Sequence, residues 1–72
     1  CHSIESIPQA VGQVGPALTG IGTKGEAFIR TSIVEPSAVI AEGFDDGLMP
    51  NNFGTLLSSS QLDTLVNFLL TQ

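Results

Sequence analysis

Apolar residues recur with helical spacing in two stretches of the chain. Leu62, Leu65, Val66 and Leu69 fall at i, i+3, i+4 and i+7, which places one apolar stripe along a helix over 58–71. Ser58 and Gln61 have capping-box spacing at its start, and Asp63 in the first turn complements the positive end of the helix dipole. Phe28, Ile29 and Ile33 share a face in the second stretch. Thr23 and Glu26 have the spacing of another capping box, so this helix is expected to start at Thr23. Pro36 restricts Glu35 to extended backbone and ends the helix near Val34. A short third helix is expected over 37–42, around Val39 and Ile40, closed by Gly43.

Between these stretches the pattern is irregular. Residues 3–22 hold four glycines and two prolines, and read as a loop with at most a turn of helix. Residues 43–57 are rich in turn formers, with Gly43, Gly47, Pro50, Asn51, Asn52 and Gly54. The same loop carries Phe44, Leu48, Met49, Phe53, Leu56 and Leu57, so it must pack onto something. No strand pattern of useful length competes. The expectation is one all-α domain with about three helices and long apolar loops.

Composition sharpens this picture. A 72-residue chain is one domain at most. Such a chain buries only about 60% of its unfolded surface and usually needs a staple. A single cysteine makes no internal disulfide. Trp and Tyr are absent, yet 42% of residues are hydrophobic and only 12% are charged. A core rich in aliphatics and poor in large fillers suits a domain completed by a cofactor, a partner or further chain. The net charge of −5, with Lys24 and Arg30 the only cations, speaks against nucleic acid. A basic protein surface stays open as a partner. No apolar run approaches the ~20 residues of a membrane span.

The candidate chemistry begins at the first two residues, which hold the only cysteine and the only histidine. Cys1 suits three roles: an N-terminal nucleophile, a lipid attachment point, or the end of a C-x-x-C-H haem motif. The nucleophile role needs a layered sheet that this sequence does not predict. The lipid role leaves His2 without a task. The haem role needs further parts downstream. A ligating histidine donates its second N–H to an acceptor, and Gly15-Pro16-Ala17-Leu18 contains a proline carbonyl to receive it. An ordinary surface turn is the plainer reading of that stretch. Met49 is the only methionine and precedes Pro50, which holds it in extended backbone. It is a candidate sixth ligand, or else a residue filling a gap in the core.

Taken in order, "CH…GPALTG…GLMPNNFG…LDTLVNFL" resembles class I cytochrome c. It is most similar to small bacterial cytochrome c domains of respiratory complexes. Examples are those fused to subunit II of haem–copper oxidases and the mono-haem subunit of alternative complex III. The resemblance runs from Cys1 to about Leu70. It implies the all-α class I cytochrome c fold wrapped on a covalently attached haem c. Cys1 would form a thioether, His2 and Met49 would ligate the iron, and the Pro16 carbonyl would accept from His2. Asn52 matches a position whose amide bonds the Met sulfur in some members. Arg30 would face a haem propionate, and Phe28, Ile33, Leu48 and Phe53 would form an apolar wall.

The implied activity is single-electron transfer rather than enzymatic turnover. The implied setting is the periplasmic or extracytoplasmic face of a membrane. The implied partners are redox proteins, above all other subunits of a membrane-bound electron-transport complex. The first motif cysteine and the family's N-terminal helix have no counterpart in 1–72. The chain therefore reads as a cytochrome c domain lacking its N-terminal part. A peroxidase-like haem site, should Met49 not ligate, and a haem-free helical interaction subunit are the other classes.

Overall fold

The computed structural model describes all 72 residues. Its elements are β1 (Ser3–Ile4), β2 (Ile7–Val11), a 3-10 helix (Ile21–Lys24), α1 (Glu26–Val34), α2 (Phe53–Leu56) and α3 (Ser59–Leu70). β1 and β2 form a two-stranded antiparallel sheet, so the expected all-α class is corrected to a mixed fold. The class I cytochrome c architecture expected from the resemblance falls with it, because the stretch after Cys1-His2 is extended hairpin where an irregular loop with at most a helical turn was expected. The hairpin turns at Glu5-Ser6 and pairs Ile4 with Ile7 and Ser3 with Val11 across an irregularity in register. Pro8 lacks an N–H and is tolerated because the sheet has only edge strands.

α1 begins at Glu26, three residues after the expected start at Thr23, and the Thr23–Glu26 capping box does not form. The Thr23 hydroxyl instead donates to the Gly20 carbonyl at 2.9 Å. Gly25 precedes α1 with φ 88 and ψ 163, a conformation that only glycine adopts freely. The helix closes at Val34, where Glu35 turns to φ −128 and ψ 71 ahead of Pro36. The helix expected over 37–42 is absent, and turns, bends and irregular backbone occupy that range. The 43–57 loop contains one helical turn, α2.

α3 follows the sequence pattern closely. Ser58 Oγ accepts from the Gln61 N–H at 3.1 Å, and Gln61 Oε1 accepts from the Ser58 N–H at 2.8 Å. Of the predicted stripe, Val66 and Leu69 are buried, Leu62 is half-buried and Leu65 is exposed. Asp63 lies beyond the first turn and pairs instead with Arg30.

The core is small. Ile29 and Ile33 of α1 meet Val66 and Leu69 of α3, with Leu18, Ile21, Phe53 and Leu57 among the side chains packed around them. Burying each such aliphatic contributes about 2 kcal/mol. The end of α3 seats on the 3-10 helix: the Gly20 N–H donates to the Gln72 carbonyl at 2.9 Å. Gly22 lies under the Leu70 carbonyl, with no room for a Cβ. Across the α1–α3 crossing, Arg30 reaches Asp63 at 2.9 Å. No helix is long and apolar enough to cross a membrane.

Candidate functional site

The segment 12–18 holds Cys1, His2 and Ser3 in place by main-chain bonds. The N–H groups of Gly15, Gly12 and Leu18 donate to the carbonyls of Cys1, His2 and Ser3 at 2.8, 3.0 and 2.8 Å. The first residues of the chain are thereby fixed to a second stretch on the far side of the hairpin. Two glycines make this approach possible. A Cβ on Gly12 would lie 2.5 Å from the Cys1 carbonyl carbon. A Cβ on Gly15 would lie 2.7 Å from His2 Cε1 and 2.8 Å from Nδ1. The imidazole therefore rests directly against the Gly15 backbone.

His2 Nδ1 lies 2.7 Å from the Pro16 carbonyl oxygen. A carbonyl only accepts, so Nδ1 carries the proton and donates. In the neutral ring this leaves the Nε2 lone pair free to ligate or accept. No hydrogen bond within the chain engages it.

His2 lines a cavity of about 430 Å³, within the range of small-molecule and cofactor sites. Three separate stretches wall it. The N-terminal stretch gives Cys1, His2 and the 14–18 turn. The 3-10 helix and α1 give Ile21, Lys24, Phe28 and Ser32. The irregular segment 36–49 gives Pro36, Val39, Ile40, Phe44, Leu48 and Met49. Twelve of the nineteen lining residues are hydrophobic. The apolar loop 43–57 thus packs, in part, around an open space. The Cys1 thiol is free and exposed at the cavity wall.

The structure brings together Cys1, His2, Pro16, Phe28, Leu48 and Met49, which all line this cavity. It separates the other four candidates from it. Ile33 points into the α1–α3 core, 6% exposed, because it shares the Ile29 face of the helix. Arg30 lies on the α3 side of α1, where Asp63 and Glu26 take its guanidinium. Asn52 is exposed at the start of α2, and its side chain makes no capping bond. Phe53 likewise belongs to the core periphery and not to the cavity wall. The cation on the wall is Lys24, whose ammonium stands 5.9 Å from the Phe28 ring centroid. The spacing of Lys24 and Phe28 at i, i+4 was the available signal, obscured by the bend at Gly25. Val39, Ile40 and Phe44 were legible only as apolar residues in need of a partner.

The donor set limits what the cavity can hold. No group of three or more His, Cys, Asp or Glu side chains converges to hold a bare metal ion. One imidazole and one thioether suit a centre that brings its own remaining ligands, as a haem does. The apolar walls, the His2 Nε2 left open and the thiol at the wall fit such a group. Comparison with protein families, with curated proteins and with solved structures finds no match for this chain.

Proposed function

We propose that the chain is a single-electron carrier of the c-type cytochrome class. In this reading haem c occupies the cavity, tethered to Cys1 and ligated by His2 and Met49. The observation that carries the reading is the His2 ring. Its Nδ1 is committed to the Pro16 carbonyl, and it stands in an apolar cavity that also receives the only cysteine and the only methionine. When bound, the haem supplies the one-electron couple, and the protein tunes and places it.

Each residue then has a task. The Cys1 thiol, at the cavity wall, would be the residue that tethers the haem through a thioether. Pro16 fixes the tautomer and plane of His2 and raises its basicity as a ligand. The Met49 thioether is a soft ligand that favours the reduced state and raises the potential. Phe28, Leu48 and Phe44 keep water from the site, which favours the reduced state too. His2 and Met49 together would hold the haem as an electron carrier and would leave oxygen or peroxide no place to bind.

The sparse charge suits a domain held in a membrane-bound electron-transport complex, on its periplasmic or extracytoplasmic side. Intact-mass measurement of the native protein tests the proposal. The expected result is a covalent haem adduct on the peptide containing Cys1, with the far-red sulfur-to-iron band in the oxidised spectrum. An unmodified Cys1 peptide overturns it. An adduct without that band removes Met49 from the ligand set.

A further inference from the structure

Among the polar side chains of the cavity wall, Lys24 stands apart. His2 Nδ1 and the Ser32 hydroxyl are spent on the carbonyls of Pro16 and Phe28, at 2.7 and 2.8 Å. Lys24 is the one Lys or Arg on the wall, and its three N–H donors meet no acceptor in the chain. It forms no ion pair, because those of the molecule join Arg30 to Glu26 and Asp63 on the α3 side of α1. The seat of Lys24 is fixed. It ends the 3-10 helix, whose leading Gly20 is tied to Gln72 and whose Gly22 is pressed under the Leu70 carbonyl. Its ammonium stands 5.9 Å from the ring centroid of Phe28, itself a wall residue. An unpaired positive charge is thus set at the edge of an apolar space.

We infer that the group held in this cavity carries a carboxylate and that Lys24 binds it. An apolar wall with one unpaired ammonium matches a ligand with an apolar body and an acidic end. The body displaces water from Phe28, Ile40 and Leu48, and the carboxylate accepts from the ammonium. For haem, the inference rests on the proposed function: a propionate is then the carboxylate, and Lys24 holds the role expected of Arg30. Beside the ammonium that propionate stays ionised to lower pH. A fatty acid offers the same chemistry, an apolar body with a carboxylate, and the test separates the two.

The test on the native haem-bearing protein is its reduction potential as a function of pH. The potential falls as a propionate ionises, and a neighbouring ammonium holds that step at low pH. K24Q is expected to move the step up by about one pH unit, whereas K24R and R30Q leave it within about 0.3 unit. Cys1, His2 and Asp45 are the other titratable groups on the wall. Cys1 and His2 are bound to the haem in this reading, so D45N completes the set and is expected to keep the step. A step unmoved in K24Q, moved as far in R30Q, or lost in D45N overturns the inference and leaves the proposed function standing. If the mass measurement finds no haem, the electron-transfer reading falls, and fluorescence titration of the native protein with cis-parinaric acid and its methyl ester decides Lys24. The acid is expected to bind about five-fold more tightly than the ester, and K24Q to bring the ratio below about two-fold. Equal binding of acid and ester, an unchanged ratio in K24Q, or no binding overturns the inference.

Discussion

Replacing Gly15 by alanine probes the contact on which the site depends. Gly15 has no positive φ, so the backbone accepts alanine without strain. On that account alone G15A stabilises by about 0.4–1 kcal/mol, through the unfolded state. The added methyl opposes this. It would lie 2.7, 2.8 and 3.2 Å from His2 Cε1, Nδ1 and Nε2, all inside the 3.4 Å at which ordinary contact begins. The imidazole must retreat by several tenths of an ångström, and its 2.7 Å bond to Pro16 must lengthen or bend.

Overpacking costs about 1–3 kcal/mol and the impaired hydrogen bond about 1 kcal/mol, so a net loss of about 1–3 kcal/mol is expected. Denaturant unfolding reads this loss. Imidazole ¹⁵N shifts read the second consequence, a His2 ring no longer held in one tautomer. Gly54 is the control: a Cβ there meets a Val34 methyl at 3.1 Å, which moves easily, so G54A costs less than about 0.5 kcal/mol by this mechanism. If G15A matches wild type in both stability and ¹⁵N shifts, the reasoning about the histidine seat is refuted.

Further outcomes follow from the same structure. S58A removes the bond from the Gln61 N–H to Ser58 Oγ, while the Ser58 N–H still donates to Gln61, and is expected to cost about 1 kcal/mol in equilibrium unfolding. I29A empties one of the two fully buried side-chain sites and is expected to cost about 2–5 kcal/mol, enough to unfold much of so small a domain at 37 °C. A double-mutant cycle between R30Q and D63N is expected to give under about 1 kcal/mol, falling with added salt, because both side chains are partly in solvent.

Legibility of the fold tracked the range of the interactions. α3 was readable because its cap and stripe are local signals that agree with one another. The end of α1 was readable because Pro36 acts on its immediate neighbour. The hairpin was not, since strands of two and five residues are too short to show alternation, and a proline sits inside one of them. The start of α1 was misplaced because Thr23 spends its hydroxyl on Gly20, a choice set by the 3-10 helix that the pattern did not reveal. In the site, the His2–Pro16 pair and Met49 were candidates by chemical type, and the structure sets them around one cavity. Arg30 and Ile33 were misassigned because sequence spacing tells which residues share a helix face, not whether that face meets the cavity or the core. Lys24 was overlooked because Gly25 separates it from α1.

The seat of α3 on the 3-10 helix has a kinetic consequence. Gly20 meets Gln72, and Ile29 meets Val66, across intervening chain segments of roughly 35–50 residues. The helices are local, but the contacts that unite them are not, so folding must meet the closure entropy of long loops before the core rewards it. Ile21 and Lys24 stand on the cavity wall next to that seat. The cavity wall is drawn from residues 1–49, so the far end of the chain adds no side chain to it and bears on it through this seat on the 3-10 helix.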